Sequence, residues 1–324
     1  MTDLDNQEVE WNINNIPIHG TITCPKNQKP RASVVFVAGS GPTDRNWCSP
    51  LLPGENCSGK LLAEALASEG YLTLRYDKLA SGPYVQENVL KMMGKISMQS
   101  HLDELSGAVK TLVEAKKADN LFVLTNSEGA IHALNYQLQA TVKFKGLILT
   151  GAPGRSIGEV ARNQIVNQIA ALPDKEAILK KYDTAIASFS EGNSIVPDPS
   201  LPQGIMQLLL SLNAPFNLPF ARELWNYNLS EYISKVEEPI LVLISKKDVQ
   251  VDWQADGKAL ESAAKGKSEV SFVYPENADH VLKFEDTPKE KLGANATLNY
   301  NSPNRNLDPE TLKTILDWLR KHTL

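Results

Sequence analysis

No apolar run in the 324-residue sequence approaches the roughly 18 residues of a membrane-crossing helix, and no Lys/Arg cluster of the kind nucleic-acid binders carry is present. With 33 basic against 38 acidic side chains and a net charge of -5, there is no cationic surplus to neutralise phosphates. Neither a membrane nor a nucleic acid is therefore an expected partner. The N-terminal stretch "MTDLDNQEVEW" is acidic and lacks the apolar segment of a signal peptide, so a cytoplasmic location is expected. Cysteine is scarce: three residues without metal-ligand spacing make no disulfide framework. Cys48 and Cys57 bracket one loop and could pair if oxidised, but in a reducing compartment two free thiols are expected. A His-Glu-x-x-His helix and a Cys/His cluster are both missing, so no metal or other cofactor is expected.

What the chain does have, at 42% hydrophobic and 22% charged residues, is enough apolar material for a sizeable core. "IPIHGTITCP" (16–25) alternates with period two, as an antiparallel strand does. "ASVVFVAG" (32–39), "YLTLRYD" (71–77), "LFVLTN" (121–126), "GLILTGAP" (146–153), "PILVLIS" (239–245) and "EVSFVYP" (269–275) are nearly continuous apolar runs. Strands covered by helices on both faces have that composition. Between them, Leu62 and Leu66 before Gly70 suggest a helix closed by a glycine cap, and Leu102, Leu105, Val109 and Leu112 trace one face of another. Near the end, Asp308 as N-cap and Pro309 at the first helical position open a helix whose apolar face is Leu312, Ile315 and Leu319. The alternation implies an α/β fold with a mostly parallel, doubly wound sheet.

One stretch interrupts it. From Arg155 to about Val236 no strand-like run occurs, while Ile157, Ala161, Ile165 and Ile169, then Ile178, Tyr182, Ala185 and Phe189, recur at helical spacing. The expected organisation is a core of residues 1–154 and 237–324 with a helical cap inserted at 155–236.

"TNSEG" (125–129) falls where strand passes to helix, the place of the Gly-x-Ser-x-Gly nucleophile elbow. There a strained turn presents the serine hydroxyl above the sheet, and the helix N-terminus faces developing negative charge. Gly129 keeps the small residue that close strand–helix approach needs; Thr125 puts a β-branched residue where the pattern has its first glycine. A structural reading of Ser127, as a polar residue ending a buried strand, stays open on the pattern alone. A serine at neutral pH needs a base, and the chain has five histidines. His19 lies in the N-terminal hairpin, His101 opens a helix, His132 is carried away around the helix after Ser127, and His322 ends the last helix. His280, in the loop after the last strand, is where a base is expected. "PILVLISKKDVQVDW" offers two carboxylates. Asp252 reads as the N-cap of the next helix, and Asp248, nearer the strand end, is the expected partner of His280.

An acyl-transfer site also needs donors for an oxyanion. "GSGP" follows the first core strand, and its glycines let backbone amides approach a substrate. The amides of Ser40 and Glu128 are the expected pair. A dinucleotide or phosphate loop is disfavoured, because no third glycine follows at the required place, the proline interrupts the turn and no lysine-threonine pair follows in the loop.

Together "GSGPTDR", "KLLAEALASEGYLTLRYDK", "TNSEGA", "PILVLISKKDVQV" and "ADHVLK" resemble the bacterial α/β-hydrolase family of small esterases related to prolyl oligopeptidase and serine aminopeptidase-like hydrolases, whose members carry a helical cap. The resemblance runs from about residue 16 onward and is weakest in the cap. It implies a carboxylesterase acting on small to medium acyl esters through Ser127, His280 and Asp248. A peptidase or thioesterase with the same triad, or a catalytically silent binding module, are the alternatives. Ala38, Thr125 and "KLASGP" (78–83) depart from the family pattern, and Asp44, Arg45 and Asp77 are assigned to holding loops together.

Overall fold

Unbroken Val/Ile/Leu/Phe runs are stable as strands only if both faces are covered, and that requirement organises the molecule. The computed structural model describes residues 3–323 except 116 and 118. The strands are β1 (Leu4–Ile13), β2 (Ile16–Pro25), β3 (Ser33–Val37), β4 (Leu72–Tyr76), β5 (Leu121–Asn126), β6 (Gly146–Thr150), β7 (Ile240–Leu243) and β8 (Val270–Val273). The helices in chain order are α1 (Ser58–Ser68), α2 (Val85–Met92), α3 (Met98–Glu114), α4 (Gly129–Gln139), α5 (Ile157–Ile169), α6 (Lys175–Ser190), α7 (Gln203–Leu212), α8 (Phe220–Trp225), α9 (Ser230–Ile233), α10 (Ala255–Ala263) and α11 (Pro309–Thr323). The described strands form one sheet in the order β1-β2-β4-β3-β5-β6-β7-β8. The pairs β1/β2 and β2/β4 are antiparallel and the others parallel.

Period-two alternation in β3 divides the core. Val34 and Phe36 pack with Leu62 and Leu66 of α1 and Ile315 and Leu319 of α11. Val35 and Val37 face the other side, with Leu105 and Val109 of α3, Ile131 and Leu134 of α4 and Leu260 of α10. Leu66 is fully buried, and Leu66→Ala would cost roughly 2–5 kcal/mol in lost transfer energy and cavity. Gly70 has φ +93°, the left-handed backbone that closes a helix with glycine. At the other end Asp308 accepts the Thr311 N–H at 2.8 Å and so starts α11.

The first strand is not legible as a strand in the sequence. Only Val9, Trp11 and Ile13 of β1 are apolar enough to pack on the core, and the strand is held by pairing with β2 along its whole length. Asn14 and Asn15, at φ +50° and +65°, make the two-residue hairpin turn.

Between β6 and β7 the chain is helical, from α5 to α9, with an apolar cluster of its own around Ile165, Tyr182, Phe189, Leu209 and Trp225. Trp225 is buried there, edge-on to Phe189 at 6.4 Å between ring centroids. The expectation of free thiols at Cys48 and Cys57 is overturned: the two are joined by a disulfide, Cα atoms 5.4 Å apart. Local hydrogen bonding explains the approach. Asp44 accepts the N–H groups of Asn46 and Cys48 at 2.8 and 2.9 Å, turning the chain back on itself before Cys57. Cys24 is free. Among the described residues no helix is long and apolar enough to cross a membrane.

Candidate active site

In a doubly wound sheet the strand order reverses at one point, and loops from the carboxyl ends of the strands on either side part to leave a crevice. Here that point lies at β3 and β5, since β4 sits on one side of β3 and β5 on the other. Ser40 follows β3 and Ser127 follows β5.

Ser127 has φ +53°, a left-handed conformation that costs a non-glycine residue about 1–2 kcal/mol. The turn is held from the sheet side, where Ser127 N–H donates to Thr150 O at 2.8 Å. Gly129 is required by contact, because a Cβ there would lie 2.5 Å from Val37 O. Thr125 causes no conflict. It is a ladder residue of β5, between Val37 and Leu149, and its hydroxyl donates to Ile148 O at 3.2 Å. Its side chain belongs to the sheet and not to the turn.

His280 Nδ1 lies 2.6 Å from Asp248 Oδ2, both side chains almost wholly buried. The other oxygen of Asp248 accepts Gln250 N–H at 2.7 Å and Val251 N–H at 2.9 Å, and the Lys289 ammonium holds its backbone carbonyl. Burial disfavours the imidazolium, but the Asp248 carboxylate and its hydrogen bond outweigh this and raise the His280 pKa, with Asp279 adding to the effect. Asp252 does not reach His280. It accepts the Gln254 and Ala255 N–H groups at 2.8 and 3.0 Å, at the start of α10.

The structure thus brings Asp248 and His280 into contact. Among the described residues, Ser127 Oγ has no hydrogen-bond partner, His280 included. Asn126 links the two loops instead, its side-chain amide donating to His280 O at 2.9 Å. Gly151, φ +54°, lets the imidazole approach, for a Cβ there would sit 3.0 Å from His280 Cε1. Asn126 was not among the residues singled out from sequence; its position before the elbow serine is the one signal that could have marked it.

Gly39 places its backbone against the elbow, a Cβ there falling 3.2 Å from Ser127 Cβ. The amides of Ser40 and Glu128 donate to no acceptor among the described residues. The Glu128 side chain is buried, 3.1 Å from His132 Nε2 and 3.7 Å from Lys78 Nζ. Burial alone would raise its pKa, but Lys78 and His132 hold it well below the usual carboxylate range. Of the remaining histidines, His101 is buried with its Nδ1 2.8 Å from Glu104, and His132 is buried beside it. His19 stacks on Tyr84, and His322 caps the Trp318 carbonyl. Arg45 clamps Asp77 through Nε and Nη2 at 2.9 and 2.7 Å and also reaches Glu8, tying loops together. Among the described residues no group of three or more His, Cys, Asp or Glu side chains could hold a metal ion.

The same architecture recurs widely among solved structures. The esterase domain of a Rhodothermus marinus protein superposes with TM-score 0.57 at 16% identity, covering 99% of this chain and 100% of that one. The chain has the α/β-hydrolase fold. A second α/β-hydrolase likeness is to proline iminopeptidase of Mycobacterium smegmatis, TM-score 0.59 at 14% identity, covering 98% and 99% of the two chains. In sequence, the chain is 31% identical over 159 residues to Esterase EstD of Thermotoga maritima. That match takes in 49% of this α/β-hydrolase chain and 35% of the relative's length. No family model matches the chain.

Proposed function

We propose that this protein is a serine carboxylesterase hydrolysing small to medium acyl esters. The observation that carries the reading is the pairing of a strained serine turn with a buried His280–Asp248 hydrogen bond of 2.6 Å in the adjoining loop. Ser127 attacks the ester carbonyl while His280 takes its proton; Asp248 fixes the ring so that Nε2 is the base and stabilises the imidazolium that forms. The Ser40 and Glu128 amides receive the oxyanion, which is consistent with their having no acceptor among the described residues. The tetrahedral intermediate collapses, the alcohol leaves with the proton from His280, and water activated by the same histidine hydrolyses the acyl-enzyme. Residues 155–236 serve as the cap over this site, with 1–154 and 237–324 as the core. Sequence similarity to an esterase across 49% of the chain supports the ester as substrate.

The likeness to an iminopeptidase favours peptide bonds as a second reading. A labelled fluorophosphonate should modify Ser127 in the folded protein, and turnover of p-nitrophenyl acetate should exceed that of an aminoacyl-nitroanilide and an acyl-thioester. Preference for the anilide or the thioester would replace the esterase assignment with a peptidase or a thioesterase. Failure to label would leave a silent binding module. A cytoplasmic location and the Cys48–Cys57 bond make opposite demands, since reducing compartments keep thiols free. Alkylation of thiols during cell lysis decides between them.

A further inference from the structure

Lys78 follows β4, is almost wholly buried, and donates to the carbonyl oxygen of Gly39. That oxygen belongs to the same peptide unit as the Ser40 N–H. The Gly39–Ser40 peptide is trans, so its C=O and N–H point in opposite directions. A cation seated on the oxygen therefore aims the N–H away from itself, and it also draws electron density from the amide, which makes the N–H a stronger donor. Among the described residues no other hydrogen bond reaches the C=O or N–H of this peptide. Gly39 has no side chain, and none would fit, because a Cβ would crowd Asn126 Oδ1 at 3.1 Å and Ser127 Cβ at 3.2 Å.

The same ammonium lies 3.7 Å from the carboxylate of Glu128, whose backbone N–H donates to no acceptor among the described residues. A buried carboxylate needs such a partner, since an unpaired charge at that depth would cost several kcal/mol. Behind Glu128 the contacts close on themselves. His132 touches Glu128 at 3.1 Å, its ring packs on His101 at 4.5 Å between centroids, and His101 meets Glu104 at 2.8 Å. Glu104 accepts the N–H of Leu79, the neighbour of Lys78, at 2.7 Å. Lys78 is thus held both at its head and through the residue next to it in the chain.

We infer that Lys78 is the positioning residue of the oxyanion hole, setting the Ser40 amide through the Gly39 carbonyl and the Glu128 residue through its carboxylate. The inference rests on the esterase reading of Ser40 and Glu128. Loss of Lys78 should misalign donors that matter in the transition state and leave ground-state binding alone.

Two variants test this: Lys78→Met, and Lys78→Met/Glu128→Leu, which removes both buried charges together and so avoids stranding the carboxylate. Each is measured on p-nitrophenyl esters for kcat and KM, with thermal unfolding as a check of fold. The third readout is affinity for an alkyl trifluoromethyl ketone. Ser127 Oγ adds to the ketone carbon, its proton passes to His280, and the carbonyl oxygen becomes an anion in the hole. In the double variant we expect kcat and ketone affinity to fall together by about a hundredfold or more, with KM within about threefold of the parent protein. A cooperative double variant with kcat and ketone affinity within about threefold of the parent would overturn the role of Lys78 while leaving the esterase reading intact. A parent protein that neither turns over esters nor binds the ketone would remove both.

Discussion

Asn126 donates its side-chain amide to the backbone carbonyl of His280 at 2.9 Å, so the residue before the elbow serine anchors the loop that carries the imidazole. Both groups are buried, and removing the donor leaves the carbonyl unsatisfied, at a cost of about 1–3 kcal/mol. Asn126→Ala should lower kcat/KM about 10- to 100-fold through misplacement of His280. Fluorophosphonate labelling of Ser127 should slow in proportion. Unchanged kinetics in a folded variant would show that the loop holds its place without Asn126.

The two carboxylates after β7 should behave differently. Asp248→Asn leaves His280 without its charged partner and should cost about 10⁴-fold in kcat. Asp252→Asn, which weakens only acceptors at the start of α10, should change kcat less than threefold and stability by at most about 1 kcal/mol. Steady-state kinetics and thermal unfolding of the two variants, side by side, make the comparison.

The pH dependence carries a sign that can be checked. Burial opposes the charged form of His280, but Asp248 and then Asp279 prevail over it and over Lys289, so its pKa stands above 6.5. The base must be neutral, and kcat/KM should therefore rise with pH through an acid limb centred above that value. Stability should move the other way. A folded-state pKa above the unfolded one means that His280 stabilises the fold fully below about pH 6.5 and loses that contribution as pH rises through its folded value. Burial, and then His101, lower the pKa of His132, so its contribution is present above the unfolded pKa and is lost as pH falls through the lower folded value. Rate profiles and NMR titration of the two imidazoles separate these effects; an acid limb centred below 6.5 would contradict the first.

The disulfide spans nine positions, and a loop of that length should contribute about 2–3 kcal/mol by restricting the unfolded chain. Cys48→Ser/Cys57→Ser should lose that much in denaturant unfolding while kcat falls less than tenfold. Other bonds keep the loop in place: Asn56 Nδ2 donates to Ser302 O at 2.8 Å and Arg305 O at 2.7 Å, and the Lys283 ammonium donates to Asn56 O. Activity lost in step with stability would mean that the disulfide itself shapes the site.

Legibility followed the range of the interaction. "LFVLTN" is a strand by composition alone, and β5 has the same bounds. β1 is hard to read because its outward residues are polar and its apolar face is confined to Val9, Trp11 and Ile13, with pairing to β2 along its whole length supplying the rest of its support. In the site, Ser127, Asp248 and His280 stand out because reactive side chains follow strand ends in a recognisable order. Asn126 and Lys78 act through partners 154 and 39 positions away, on carbonyl oxygens that any residue could have supplied. No spacing rule marks such contacts. The Cys48–Cys57 bond is illegible for another reason: composition speaks to the redox compartment, whereas the pairing follows from local geometry that Asp44 dictates.

The α5–α9 segment departs after β6 and returns into β7, and these strands are direct parallel neighbours, Thr150 beside Leu243. It leaves and re-enters the sheet at opposite rims, but its helical part closes on itself, the Ser230 hydroxyl donating to Gly154 O at 2.6 Å and Ile157 N–H to Tyr227 O at 3.3 Å. A foreign helical module with similarly spaced ends can be grafted between Gly154 and Ser230 without altering any strand register, so this scaffold is open to exchange of its inserted helices while the sheet stays in place.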